Sequence, residues 1–178
     1  MIINRVWAMP NNSTFSIKPI KMLIKEKFEL LNKTLKGDVF AVDPFVGNSP
    51  FRHRCYSNDI DPAIKCGCNI DALDFLKSIE SNEADIVLFD PPYSPGQVSE
   101  VYKKLSKSVN MQTTQSSFWG NIKKEIARIT RKNGMVISFG WNSGGIGKRL
   151  GFKIIEILLV PHGGWHNDTI VTVEIKVK

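Results

Sequence analysis

The chain has 178 residues, of which 42% are hydrophobic and 23% are charged, and its formal net charge is +7. This composition predicts one folded domain and excludes collagen, coiled-coil and fully disordered proteins. The apolar runs are strand-sized, so no segment is expected to span a membrane. The first residues lack the basic-then-apolar order of a secretory signal, and three cysteines leave one thiol unpaired under any pairing. We therefore expect a reducing, cytoplasmic location.

Positive charge is concentrated in one part of the sequence. Residues 101–153 carry eleven Lys or Arg and a single acid, whereas residues 38–100 carry four basic residues and eleven acids. Lysine and arginine gain binding energy by displacing the counterions that condense on a polyanion. The basic stretch therefore predicts a nucleic-acid partner, and a solvated basic surface is the equally weighted alternative.

Helix-like and strand-like patterns alternate along most of the chain. Apolar residues recur at three- and four-residue steps from Ile17 to Leu31, which predicts an amphipathic helix that ends near Gly37. The same criteria predict strands at 39–42, 55–57, 65–70, 84–89 and 135–139. They also predict a helix at 71–79 that Asp71 caps, and a helix at 118–131 with Ile122, Ile126 and Ile129 facing inward. Such alternation predicts an α/β open sheet whose strands are mostly parallel.

Two β-branched runs close the sequence, at residues 152–160 and 169–177, and turn-forming residues join them. This pattern predicts an antiparallel hairpin, placed at the edge of the open sheet. Residues 94–117 are polar, since twelve of them are Ser, Thr, Asn or Gln. A segment of that length without a periodic pattern is usually functional or mobile.

Polar residues and a glycine follow the predicted strands at the ends where open α/β sheets bind their ligands. Asp43 and Gly47 follow the first of these strands, Asp59 follows the second, and Asp90 follows the strand at 84–89. Gly47 lets the backbone approach a ligand, and an acid in the position of Asp59 accepts hydrogen bonds from two ribose hydroxyls. These features predict a nucleoside site, although turn glycines and strand-ending acids also have purely structural roles.

The four residues Asp90, Pro91, Pro92 and Tyr93 carry the strongest chemical signal. Two successive prolines remove two N–H donors and hold the backbone extended. The Asp90 carboxylate and the Pro91 carbonyl are then neighbouring acceptors, which match the two N–H donors of a primary amine on a planar base. Tyr93 offers a ring on which that base can stack. The structural alternative is a strand-ending proline turn with a packed tyrosine.

These motifs resemble those of the amino-methyltransferases that use S-adenosyl-L-methionine (AdoMet) to methylate adenine N6 or cytosine N4 in DNA. Asp90 to Tyr93 is similar to the catalytic motif of that family. The cofactor-binding residues that the resemblance implies are Phe15, Lys18, Asp43, Pro44, Phe45, Gly47, Asp59 and Asp71. In this assignment Asp59 binds the ribose of AdoMet, Asp71 contacts its adenine, and Phe15 and Lys18 belong to the motif that closes over the methionine end.

The resemblance also implies a fold and an activity. The fold is the Rossmann-like sheet of class I methyltransferases, mostly parallel with an antiparallel C-terminal hairpin, in a single catalytic domain over residues 1–178. The implied reaction is methylation of adenine N6 in DNA, and short or relaxed sequence specificity is expected because no separate recognition domain fits. The alternatives are methylation of RNA or of cytosine N4, and an inactive nucleic-acid-binding module. Asn48, Ser49 and Pro50 stand where the family has a further glycine and a helix, so that helix is expected to be short or missing.

Six residues are predicted to contact nucleic acid. They lie within or shortly after the polar segment that follows the tetrapeptide, or in the C-terminal turn: Lys103, Lys104, Lys107, Lys123, Lys124 and Trp165. Packing of Trp165 on the sheet is the alternative to stacking on nucleic acid. His53 and the three cysteines lack the two-residue gap that is usual in zinc sites, so no metal is expected.

Overall fold

A computed structural model describes residues 1–92 and 116–178, and in that part of the chain seven strands form one sheet. The strands lie side by side in the order β1-β6-β7-β5-β4-β2-β3. Their bounds are Ile2–Arg5 (β1), Ala41–Asp43 (β2), Tyr56–Ser57 (β3), Ala84–Phe89 (β4), Thr130–Gly140 (β5), Phe152–Val160 (β6) and Thr169–Lys176 (β7). The helices are Lys18–Thr34 (α1), Ala72–Lys77 (α2) and Ser116–Ile129 (α3). None of the helices described is long and apolar enough to cross a bilayer.

The strand directions bring the carboxyl ends of six strands to one edge of the sheet. All pairings are parallel except those of β7, which runs antiparallel to both β5 and β6. The carboxyl ends of β1 to β6 therefore lie at the same edge, where open α/β sheets bind their ligands. The predicted class of fold, mostly parallel with an antiparallel hairpin, is confirmed.

Successive side chains of a strand point to opposite faces of the sheet, so the apolar strands have two apolar faces. Different helices cover these two faces. In β4, Ile86 and Leu88 pack with the core beneath α1, whereas Val87 and Phe89 pack with α2 and α3. On α3, the apolar residues predicted to face inward are Ile122, Ile126 and Ile129, and each is fully buried. The three layers leave the carboxyl edge of the sheet open between the helices.

Two predictions about the sheet are wrong. Residues 65–70 do not form a strand, because only Cys68 pairs, in a single parallel bridge with Asn58. The hairpin is not at the edge either, since the N-terminal strand β1 adds to β6 beyond it. All four residues of β1 are exposed, so the strand has none of the alternation in burial that sequence patterns detect.

Polar contacts fix β1 and β6 to the helix layer. The Glu156 carboxylate of β6 lies 2.6 Å from the Lys27 ammonium of α1 and accepts a hydrogen bond from Asn4 of β1. Burial lowers the pKa of Lys27, but the hydrogen bonds and charges of Glu156 and Glu26 outweigh this effect, and the pKa lies above its usual value. A buried lysine inside the predicted apolar face of α1 is thus explained by its carboxylate partner on the sheet.

Candidate functional site

A first cleft of about 180 Å³ opens at the carboxyl edge of the sheet, over the ends of β2, β3 and β4. Its walls come from three loops and from the first turns of α2 and α3. The described residues that line it are Pro44, Phe45, Asn58, Asp59, Ile60, Asp71, Ala72, Asp90, Pro92, Phe118 and Trp119. Four residues predicted to bind the cofactor, Pro44, Phe45, Asp59 and Asp71, therefore lie in one cleft. Asp90 and Pro92, which are predicted to be catalytic, line the same cleft.

The loop after β2 is held to the end of β3 by a backbone-to-carboxylate contact. The Gly47 N–H donates to Asp59 Oδ2 at 2.9 Å, and Gly47 has a φ of +45°, a conformation that favours glycine. The Asp61 N–H donates to the other oxygen, Oδ1, also at 2.9 Å. A carboxylate has about four lone-pair sites, so Asp59 retains two for hydroxyl donors of a ligand in the cleft.

Asn58 shapes the same cleft and was not predicted from the sequence. Its side-chain amide donates to the carbonyls of Pro44 and Ile70, and its Oδ1 accepts from the Ile70 N–H. The residue is fully buried and joins the loop after β2 to the segment that enters α2. The only signal available in the sequence was its place beside Asp59 at a strand end, which many turn asparagines share.

Asp71 is both the cap of α2 and part of the wall. Its Oδ1 accepts from the Leu73 N–H at 2.8 Å, as predicted for an N-cap residue. Asp71 also lines the first cleft, so its carboxylate can accept a hydrogen bond from a ligand there while Oδ1 holds the helix.

Asp43 is an unusual residue of the site because its carboxyl is completely buried at the end of β2. Oδ1 accepts from the Phe45 N–H at 3.2 Å, but Oδ2 has no partner in the described part of the chain. Burial raises the pKa of Asp43 well above its usual value, and the charges of Asp90 and Asp59 raise it further. A cationic ligand group placed at Oδ2 would oppose this effect, because it favours the ionised form of the carboxyl group.

The raised pKa of Asp43 leads to a prediction about stability. Native Asp43 retains its proton at pH values where the unfolded chain, with an aspartate pKa of about 3.9, has lost it. The free energy of unfolding should therefore fall as the pH rises from about 4 through the native pKa, by at most about 1.4 kcal/mol per pH unit. Asp43→Asn should lack this slope. Urea denaturation of both proteins from pH 4 to pH 8 measures it, and parallel pH profiles would contradict the prediction.

A second cleft of about 220 Å³ lies on the other side of the segment that follows β4. It is enclosed by that segment, by α3, by the end of β5 and by the loop after β5. The described residues that line it are Phe89, Pro91, Pro92, Trp119, Lys123, Ser138, Phe139, Gly140, Trp141, Asn142 and Gly145. Pro92 and Trp119 line both clefts. The segment from Asp90 to Pro92 is thus a common wall between them.

The loop wall of the second cleft is anchored by a buried glutamate. Glu174 of β7 accepts hydrogen bonds from the N–H groups of Ile146, at 2.6 Å, and Gly147, at 3.0 Å. A Cβ atom at Gly145 would overlap the Glu174 carboxylate, so glycine is required there. Lys123 of α3 donates to the Gly145 carbonyl. These contacts set the conformation of the loop at residues 142–147 from the sheet and from α3.

Four of the predicted cofactor residues lie outside the lining of the first cleft, and one of them is the fully buried Asp43. Phe15 is buried in the core, where its ring packs on those of Phe139 and Phe51 at centroid distances of 4.7 and 6.5 Å. Lys18 is exposed at the start of α1, and Gly47 acts through Asp59. After Ser49 the described chain has only a 3-10 turn at Arg52–Arg54, as expected for a loop without the following helix.

The predicted nucleic-acid residues differ in their accessibility. Trp165 is fully exposed in the loop between β6 and β7, so the alternative that it packs on the sheet is wrong. Lys124 is exposed on α3, whereas Lys123 donates a hydrogen bond to the Gly145 carbonyl in the wall of the second cleft. Tyr93, Lys103, Lys104 and Lys107 lie outside the described residues.

Two further basic residues of the same stretch are used within the fold. Arg128 donates to the carbonyls of Leu76 and Ile79 at the end of α2, and Arg131 pairs with Asp85. Their charges therefore stabilise the contact between helices and sheet. No three His, Cys, Asp or Glu side chains of the described chain are grouped as metal ligands, and Cys55, Cys66 and Cys68 are free thiols.

The fold is similar to solved structures of methyltransferases. A SAM-dependent methyltransferase from Agrobacterium tumefaciens superposes with a TM-score of 0.58 at 10% identity, over 89% of this chain and 62% of the other. An rRNA methylase from Streptococcus thermophilus gives 0.53 at 12% identity, over 87% and 97%. The 1,6-didemethyltoxoflavin-N1-methyltransferase of Burkholderia thailandensis, solved with bound 1,6-didemethyltoxoflavin and S-adenosylhomocysteine, gives 0.54 at 9% identity, over 87% and 78%.

Sequence comparisons add no relative to these structures, since neither a protein-family model nor a curated protein sequence matches the chain. At 9–12% identity the similarity concerns the arrangement of strands and helices. The chain therefore has the Rossmann-like fold of class I methyltransferases.

Proposed function

We propose that this chain is an AdoMet-dependent methyltransferase that methylates an exocyclic amine of a nucleic-acid base, namely N6 of adenine in DNA. The observation that carries the proposal is the common wall. Asp90 lines the first cleft, Pro91 lines the second, and Pro92 lines both. In a fold of this class, such a wall separates a nucleoside site from a second site within reach of the same acceptor groups.

The residues of the first cleft fit the cofactor chemically. Asp59 has two lone-pair sites for ribose hydroxyls, and Asp71 presents a carboxylate oxygen to the adenine. Phe45 and Trp119 supply apolar walls. Asp43 does not line the cleft but directly precedes Pro44, which does, and its partnerless Oδ2 is assigned to the ammonium group of the methionine end. When bound, AdoMet supplies an electrophilic methyl group.

The acceptor amine is assigned to Asp90 and Pro91. The carboxylate and the backbone carbonyl accept its two N–H groups, which leaves the lone pair of the nitrogen for the methyl group. Holding both reactants at near-attack distance provides most of the rate in such reactions. The proton lost from the amine is released to water. Adenine is favoured over cytosine because aspartate heads the tetrapeptide, as it does in the adenine enzymes that the motif resembles.

The exposed aromatic loop supports a nucleic-acid substrate. Trp165 follows β6 and therefore lies at the same edge of the sheet as Asp90. The strands that carry the loop, β7 and β6, are two and three strands away from β4, so their ends lie roughly 10–15 Å from the end of β4. An exposed indole on a loop at this edge is suited to stack on a base that neighbours the target. RNA is the second candidate, since one structural neighbour is named as an rRNA methylase.

The proposal is tested by incubating the chain with labelled AdoMet and with DNA or RNA oligonucleotides that contain adenine or cytosine. Nucleoside mass spectrometry should find N6-methyldeoxyadenosine. Label found in RNA would show that RNA is the substrate, and N4-methylcytosine would show that cytosine is the methylated base. Absence of any labelled nucleoside, although AdoMet binds, would contradict the proposal.

Trp165→Ala should weaken the binding of single-stranded DNA roughly 5- to 150-fold, because stacking of a base on an aromatic ring contributes about 1–3 kcal/mol. Trp165→Phe should retain most of the affinity, and neither change should alter the affinity for S-adenosylhomocysteine. Fluorescence anisotropy at several salt concentrations measures both effects. Affinity should also fall steeply with salt, by about one logarithmic unit of slope per phosphate contacted. Equal affinities of the alanine variant and the wild type would exclude Trp165 from the interface.

A further inference from the structure

The hydroxyl of Ser138 is a buried polar group without a partner. Ser138 is 7% exposed, lines the second cleft, and its Oγ makes no hydrogen bond to any of the residues described. Buried hydroxyls in folded proteins are nearly always paired, and an unpaired one destabilises the protein that carries it. The Ser138 hydroxyl can therefore donate a hydrogen bond to a ligand in the cleft and accept one from it.

The position of Ser138 in the sheet directs its side chain toward the second cleft. Its neighbours on β5, Ile137 and Phe139, pack with the core under α1, so Ser138 faces the opposite side, where α3 lies. Ser138 also pairs in register with Phe89 of β4, the residue immediately before Asp90. The hydroxyl is therefore one strand away from the acceptor groups assigned to the amine.

The walls around Ser138 suit a flat ring with polar edges. Trp119 of α3 and Trp141 of the loop after β5 both line the cleft, and Lys123 holds the loop through the Gly145 carbonyl. A hydroxyl both donates and accepts a hydrogen bond, so it distinguishes bases by the pattern on their ring edge. The second cleft thus combines two indole walls with one hydroxyl group that can distinguish bases.

We propose that Ser138 is a specificity-determining residue, whose hydroxyl binds the ring edge of the acceptor base in the second cleft while Asp90 and Pro91 bind its amine. The inference rests on the proposed function, because it assigns the second cleft to the base that is methylated. It adds a residue of β5 to a site that the sequence places only after β4. It also explains why a serine stands between apolar neighbours in the middle of the core.

The sheet provides a matched control. Thr172 of β7 lies directly opposite Ser138, is 1% exposed, and also has a hydroxyl without a partner in the described chain. Thr172 is absent from the lining of the cleft. Ser138→Ala and Thr172→Val each remove one buried, unpaired hydroxyl, so neither should lower the stability measured in urea. Only Ser138→Ala should affect a ligand in the second cleft.

The experiment titrates the full chain with the pentanucleotides d(TTATT) and d(TTCTT), with and without saturating S-adenosylhomocysteine. The indole N–H signals of the four tryptophans are followed by NMR after assignment by substitution. We expect d(TTATT) to shift the signals of Trp119 and Trp141. Ser138→Ala should weaken its binding about 5- to 10-fold and reduce the preference over d(TTCTT), whereas Thr172→Val should change the affinity less than twofold.

Three results would overturn the inference: wild-type affinity and preference in Ser138→Ala, equal losses in both variants, or no shift at Trp119 and Trp141 with either pentanucleotide. Equal losses would indicate that the sheet repacks when either hydroxyl is removed. Binding that depends on Ser138 in a chain that transfers no methyl group would contradict the proposed function alone. The role of Ser138 in binding the base would then stand by itself.

Discussion

Asp90→Ala is expected to reduce kcat/KM for methyl transfer roughly 100- to 1000-fold, the range that loss of one preorganised polar group produces in other enzymes. The carboxylate is proposed to hold the acceptor amine, so its removal should affect the step after the cofactor is bound. The affinity for S-adenosylhomocysteine should change less than about threefold. Single-turnover rates with labelled AdoMet and calorimetry with S-adenosylhomocysteine separate the two effects.

The control for this variant is Asp74→Ala, which removes an exposed acid of α2 outside the lining of both clefts. It should leave the rate and the affinity unchanged. Asp90→Asn should fall between wild type and alanine, because its amide oxygen still accepts one hydrogen bond. A wild-type rate in Asp90→Ala would show that the amine is held elsewhere. Loss of cofactor affinity equal to the loss of rate would place Asp90 in the cofactor site instead.

Asp59→Ala is expected to weaken the binding of S-adenosylhomocysteine by roughly 2–4 kcal/mol, or about 30- to 1000-fold. Two causes contribute. The ribose loses a charged acceptor, and the Gly47 N–H loses the carboxylate that holds the loop after β2. Isothermal calorimetry at a temperature where both proteins are folded measures the change. The second cleft contains no atom of Asp59, so the binding of d(TTATT) should be retained.

Asp61→Ala is the matched control, since Asp61 is two residues away, accepts a hydrogen bond from its own turn, and does not line the first cleft. It should reduce the affinity for S-adenosylhomocysteine less than threefold. Near-wild-type affinity in Asp59→Ala would remove the ribose assignment. Equal losses in the two variants would mean that the turn as a whole, and not the Asp59 carboxylate, determines binding.

The sequence by itself determined the elements that local patterns encode. The apolar periodicity of α1 and α3, the buried run of β4 and the Asp71 cap depend on contacts between near neighbours in the chain, and each lies within two or three residues of its predicted place. Six of the residues that line the first cleft were also accessible from sequence. Parallel strands bring their carboxyl ends to one edge, so residues such as Asp59 and Asp90 that follow different strands meet there.

Only the tertiary structure decided which residues complete the site. Asn58, Trp119 and Ser138 have no sequence signal of function, because their roles depend on partners from other strands and helices. β1 was missed and the strand at 65–70 was wrongly predicted, since strand pairing over long sequence separations is not encoded in local patterns. The partnerless Oδ2 of Asp43 and Oγ of Ser138 become visible only when everything packed around them is known. Burial without a partner is a property of the folded chain, and it is what identifies these two groups as available to a ligand.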